Sequence, residues 1–210
     1  ISNVDKDGHL GTRELLWHSD VSYLPAPYLG ASLHAVKVDP SAVGTRFASG
    51  YQAYENMPQS LRDRIANLKA LHVRERVQDR RNELTDLQDG DLCTVHDVVR
   101  RQSGTGRPYI FVNENLSPCI IGLSQEESRA VLDEIFAYFY VRENIYEHRW
   151  EKGDIVIWDN LGLQHARGVA GSGTRTLQRV TIAELGYAQQ YPTDTGIYDA
   201  LGNAQMLEVI

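Results

Sequence analysis

A mainly β, antiparallel architecture with flanking helices is the fold class that the sequence predicts. Two observations predict it: short β-branched or alternating runs outnumber helical periods, and Pro, Gly, Asp and Asn clusters punctuate the chain between those runs. A third bounds it. At 210 residues, 42% hydrophobic and 23% charged, the chain has the size and composition of a single well-buried domain, 1–210.

Taken in order, the opening ISNVDKDGHLG reads as a turn leading into TRELLWHSDVSY, with a strand or strand end near His18. LGASLHAVKVD, Leu29 to Asp39, reads as a strand, PSAVGT as a turn, and Thr45 as part of the strand or loop that follows. From Tyr51 to His72, the positions Tyr54, Met57, Leu61, Ile65 and Leu68 recur at three- and four-residue steps, the period of one or two amphipathic helices. VRERVQDRRNELTDLQDG, residues 73–90, is mostly charge, which predicts an exposed or mobile connection. A helical and charged insertion near 51–92 is the resulting expectation.

Beyond it, RPYIFVN is a strand candidate, and SQEESRAVLDEIFAYFY is a helix whose N-cap is Ser124, with acidic residues in its first turn. GDIVIWDN has the β-branched density of a buried strand, and TRTLQRVTIAEL supplies another just past His165.

Composition excludes several function classes. A formal charge of -7 and a pI near 5.5 argue against broad attraction to nucleic acid or anionic lipid. No apolar run approaches the roughly 18 residues of a membrane span. Cys93 and Cys119 are too isolated for a disulfide framework or zinc knuckle and read as reduced thiols. No signal-peptide pattern follows Ile1. The expectations are a cytoplasmic protein, a small-molecule partner, no nucleic acid, no membrane, and a possible homo-oligomer.

Chemistry concentrates in two segments. His18 and Asp20 are one residue apart in WHSD, and on an extended backbone such side chains share a face. His165, in WDNLGLQHAR, would complete a two-histidine, one-carboxylate triad, a donor set that leaves iron positions open for oxygen activation. Arg175 and Arg179 follow His165 at 10 and 14 residues and share a strand face. Trp17, Val21, Tyr23 and Trp158 border the ligand segments as candidate pocket walls, with core packing the better role for Trp158. Asp159 and Asn160 are candidates for orienting the surroundings of His165. His9, His34, His72, His96 and His148 lack partners at ligand spacing and read as structural or exposed.

With these residues in place, the chain resembles the taurine dioxygenase and 2,4-dichlorophenoxyacetate dioxygenase family of iron(II)/2-oxoglutarate oxygenases. The resemblance runs through WHSD, the Gly-Thr turn at Thr45, VVRRQSGTGRPYIFVN, WDNLGLQH and RTLQRVTI. It implies a double-stranded β-helix, or jelly roll, and a dioxygenase using Fe(II), 2-oxoglutarate and O2. It also implies metal ligation by His18, Asp20 and His165, with Thr45 and Arg175 on the distal carboxylate of 2-oxoglutarate. A planar guanidinium suits that carboxylate because it offers two parallel hydrogen bonds. Arg179 matches a position facing the substrate's acidic group, with support of 2-oxoglutarate as the competing role, and Val21 and Tyr23 are further substrate candidates. The family usually has a longer region before the first ligand pair, so the chain reads as lacking its N-terminal part. Two other classes share the donor set: a non-catalytic cupin-like metal-binding protein and a zinc hydrolase.

Overall fold

The computed structural model describes residue 2 and residues 15–75, 80–168 and 173–185; the predicted opening turn lies outside the described residues apart from Ser2. In chain order the strands are β1 (Leu15–His18), β2 (Gly30–Val38), β3 (Thr45–Ser49), β4 (Lys69–Val73), β5 (Cys93–Asp97), β6 (Val99–Arg101), β7 (Pro108–Ile110), β8 (Cys119–Ile120), β9 (Ile145–His148), β10 (Ile155–Asp159), β11 (Leu163–Arg167) and β12 (Arg175–Ile182). The α-helices are α1 (Gly50–Asn56), α2 (Gln59–Ile65) and α3 (Gln125–Phe139).

Two antiparallel sheets form the jelly-roll core, one ordered β1-β11-β3-β9 and the other β10-β2-β12. Period-two alternation explains how they meet. Ala31, Leu33 and Ala35 of β2, Leu177 of β12 and Trp158 of β10 pack with Phe47 of β3 and with Trp150, closing a shared apolar layer. The opposite face of the first sheet, through Trp17, Ala48 and Ala166, packs on the apolar stripes of α1, α2 and α3. Ser124 caps α3 as predicted, in a reciprocal capping box with Glu127. A third sheet, β5-β4-β8, and the β6-β7 hairpin extend the helical side.

Three expectations change. The helical period does not continue to His72: α2 ends at Ile65, and β4 sits between β5 and β8 with Ala70 to Val73 buried. A strand buried on both faces is a short apolar run, which periodicity cannot separate from a helix. The charged stretch is also anchored where it is described. Arg80 pairs with Asp86 through both carboxylate oxygens, and Arg129 of α3 reaches Glu83. Finally, β10 is buried on one face only, because Val156 and Trp158 turn inward while Ile155 and Ile157 are exposed. Among the described residues, no helix is long and apolar enough to cross a membrane.

Candidate active site

The register of β1 on β11 sets His18 directly across from His165, and their rings lie 4.3 Å apart. Asp20 reaches them differently from the extended-strand expectation. β1 ends at His18, and Asp20 begins a turn whose next residue, Val21, has a φ of 50°. A β-branched residue in the left-handed region carries about 1–3 kcal/mol of strain. Buried Asn160 holds the turn, accepting from the Asp20 N–H at 2.8 Å and donating to the Asp20 carbonyl at 3.1 Å. The Asn160 side chain, a candidate for orienting the surroundings of His165, bonds to the backbone of Asp20 and Tyr28.

Past β10, the Asp159 carboxylate accepts the Tyr51 hydroxyl and the N–H groups of Leu161 and Gly162. This fixes the turn that delivers His165. Gly162 is required there, because a Cβ would come within 2.1 Å of the Tyr51 ring.

The three side chains suit a divalent ion such as iron(II). Their ligand atoms all lie within 4.8 Å of one another. His18 Nε2 is 3.7 Å from Asp20 Oδ1, and His165 Nε2 is 3.8 Å from Asp20 Oδ2, too long for hydrogen bonds and close enough to share one ion. His18 Nδ1 donates to the Leu16 carbonyl at 2.7 Å, which leaves Nε2 as the free lone pair. Burial, with the neighbouring His18, pushes His165 down to about 3, so its imidazole is neutral. Burial opposes ionisation of Asp20, but the positive charge facing it, the Arg179 guanidinium in its ion pair included, outweighs burial and holds the carboxyl below its ordinary value. The Asp20 carboxylate, the neutral His165 imidazole and Nε2 of His18 therefore converge as a donor set for one metal ion.

Two cavities meet at this point. The inner one is lined by Thr45, Trp158, His165, Arg167, Arg175 and Arg179, among others. Arg175 is 5% exposed and its Nη1 donates to the Val43 and Gly44 carbonyls at 2.5 and 3.2 Å. Burial and the charge of Arg167 push Arg175 down to about 10, still far above neutrality. The Trp150 indole N–H donates to Thr45 Oγ1 at 3.0 Å, which leaves the hydroxyl proton to be donated elsewhere. Trp150 and Arg167 were not singled out in the sequence. Arg167 follows His165 by two residues on β11 and so shares its face, a signal that was available.

The outer chamber, of about 440 Å³, is lined by His18, Asp20, Val21, Tyr23, Tyr28, Arg74, Asn115, Leu116 and Arg179, with others. Val21 and Tyr23 both line this chamber. Arg179 borders both cavities, and its guanidinium forms an ion pair with Asp20 Oδ2. Trp17 is a correction: it points to the helices, stacks on Tyr140 and carries Arg46 over its ring. Facing away from its neighbour His18 follows from strand alternation. Trp158 serves both as core and as a wall of the inner cavity.

The model of the family described as "Taurine catabolism dioxygenase TauD, TfdA family" matches residues 2–181. The chain belongs to that family. As a TauD/TfdA-family protein, it is 32% identical over 198 residues to the α-ketoglutarate-dependent 2,4-dichlorophenoxyacetate dioxygenase of Cupriavidus pinatubonensis, covering 88% of this chain and 69% of that one. It is 33% identical over 218 residues to pentalenolactone F synthase of Streptomyces avermitilis, covering 92% and 71%. The crystal structure of AAD-2 in complex with Mn(II) and N-oxalylglycine superposes with a TM-score of 0.69 at 26% identity, covering 80% of this chain and 68% of that one. This TauD/TfdA-family chain is accordingly an iron(II)/2-oxoglutarate-dependent dioxygenase, consuming O2 and acting on a small molecule. The cupin-like and zinc-hydrolase alternatives have no support.

Proposed function

We propose that the chain couples oxidative decarboxylation of 2-oxoglutarate to hydroxylation of a small anionic organic substrate, with His18, Asp20 and His165 as the iron ligands. The observation that carries this reading is the meeting of two arginine-bearing cavities at one His-Asp-His cluster. When bound there, iron(II) supplies the electrons and open positions for activating dioxygen.

The chain's own residues supply position and charge. Arg175 holds the distal carboxylate of 2-oxoglutarate with its planar fork. Thr45 adds a hydrogen bond from the hydroxyl proton that Trp150 leaves free. Leu33, Trp158 and Leu177 line the same cavity and keep water from competing for these contacts. Arg179, at the junction, holds the acidic group of a substrate lodged in the outer chamber, whose walls include Val21 and Tyr23. One relative is named for 2,4-dichlorophenoxyacetate, an aryloxy acid of this charge class. Hydroxylation is the default outcome of oxidising a C–H bond held beside such a centre. We read the described residues as one oxygenase domain carrying the insertion near 51–92, and the buried, unpaired Cys93 and Cys119 as favouring the cytoplasm.

The test is anaerobic addition of iron(II) and then 2-oxoglutarate to the full chain. A visible charge-transfer band, followed by succinate release when air and a panel of small acids are admitted, is expected. Absence of the band refutes the 2-oxoglutarate assignment, and succinate release that no acid stimulates refutes the anionic substrate.

A further inference from the structure

We propose that Asn113 and Asn160 are positioning residues that clamp the residue 19–22 turn against the unfavourable backbone of Val21, and so turn Asp20 toward the two imidazoles. The inference rests on reading His18, Asp20 and His165 as the metal ligands.

Both asparagines are fully buried, and each bridges a residue before Val21 to one after it. Asn160 Oδ1 accepts from the Asp20 N–H at 2.8 Å, while its Nδ2 donates to the carbonyls of Asp20 and Tyr28 at 3.1 and 2.9 Å. Asn113 Oδ1 accepts from the Ser19 N–H at 2.5 Å and its Nδ2 donates to Ser22 Oγ at 3.1 Å. The second Nδ2 proton of Asn113 faces His72 Nδ1 at 3.3 Å. A carboxamide offers one acceptor and two donors on a rigid plane, and each of these two uses all three functions. The Leu24 N–H closes the turn onto the Val21 carbonyl at 2.9 Å.

Without the clamp, a valine at φ 50° relaxes to negative φ, because its Cβ crowds the backbone in the left-handed region. Such a change at residue 21 redirects the chain next to Asp20. The carboxylate then leaves the position where His18 and His165 both face it at 3.7 and 3.8 Å. Glycine occupies the left-handed region freely. The clamp is therefore needed because residue 21 is valine, and this separates the proposal from a general packing role for buried asparagines.

The experiment measures Mn(II) affinity calorimetrically, and unfolding temperature without metal, for the full chain and for Asn113→Ala, Asn160→Ala, Val21→Gly and Val21→Gly/Asn160→Ala. Second-sphere losses of this kind weaken metal binding by about 10- to 100-fold, and that loss is expected for each asparagine variant. The Val21→Gly/Asn160→Ala chain is expected to bind Mn(II) more tightly than Asn160→Ala alone. A merely structural role lowers the unfolding temperature but gives no such rescue. Undiminished Mn(II) affinity in both alanine variants overturns the proposal, as does equal weakening with valine or glycine at 21. Should the alanine variants fail to fold, Val21→Gly alone decides: retained Mn(II) affinity with an undiminished unfolding temperature supports strain at Val21, and a marked fall in either refutes it. An unmodified chain that binds no Mn(II) removes the metal-site reading and this inference with it; normal binding there with unchanged variants removes the clamp alone.

Discussion

Replacing Arg175 by methionine keeps an unbranched apolar stem and removes the fork, and with it both the cosubstrate contact and the Nη1 bonds to the Val43 and Gly44 carbonyls. The distal carboxylate would lose a charge-assisted pair of hydrogen bonds, each class of contact being worth about 1.5–3 kcal/mol. At about 1.4 kcal/mol per tenfold, 2-oxoglutarate affinity should fall by about 10- to 150-fold. The structure favours the upper part of that range. Arg175 is 5% exposed and already tethered to Val43 and Gly44, so little ordering entropy offsets its contact with a ligand. Arg175→Lys, which keeps a charge without the planar geometry, should fall between the two. The assay is calorimetric binding of 2-oxoglutarate to the Mn(II)-loaded protein, with Mn(II) affinity measured in parallel. Unchanged 2-oxoglutarate affinity, or an equal loss of Mn(II), would refute the assignment.

Arg179→Met should raise the KM of an acidic substrate about tenfold or more, while substrate-free succinate formation persists; an equal fall in substrate-free and substrate-coupled succinate formation would assign Arg179 to Asp20, its partner in this structure. Trp150→Phe removes the neutral bond to Thr45 Oγ1, worth about 0.5–1.5 kcal/mol, so 2-oxoglutarate should bind a few-fold more weakly with Mn(II) affinity intact, as titration would reveal. Acid should destabilise the metal-free protein. Burial pushes His96 down to about 4 and His72 well below its ordinary value. The unfolded chain then takes up protons near pH 6.5 that the folded chain refuses. Stability is complete above that pH and is lost as pH falls from 6.5 towards 4, by about 3 kcal/mol for His96 alone. Denaturant midpoints that stay constant across this window would contradict the account.

How much was legible in the sequence follows from the range of each interaction. WHSD and WDNLGLQH hold ligand chemistry in short segments, so His18, Asp20 and His165 could be chosen before any geometry, and the structure brings them together. α3 was legible because its cap is local, Ser124 and Glu127 being three residues apart. The inward face of β12 also followed from alternation, with Arg175, Leu177 and Arg179 directed alike and lining one cavity. What stayed hidden acts at long range or against a local rule. Asn113 binds a peptide 94 residues away and Trp150 a hydroxyl 105 away. Alternation would have carried Asp20 to the face of His18 by strand geometry, whereas the fold does so with a left-handed valine that no propensity predicts. The exposed face of β10 was missed because isoleucine density suggests burial, and that sheet is covered on one side only among the described residues.

The pairing of His18 with His165 gives the metal a mechanical part. β1 is four residues long, lies at the edge of its sheet and has a register shift, with β11 as its one neighbour among the described strands. Edge segments of this kind open locally well before the whole molecule unfolds. A divalent ion held by His18 and Asp20 at the end of β1 and by His165 on β11 is a cross-link over that weak seam. Loading with Mn(II) should slow amide hydrogen exchange in β1 far more than in β2, which β10 and β12 flank on both sides. Iron supply would then set how firmly the chain's first described strand is fastened to the rest.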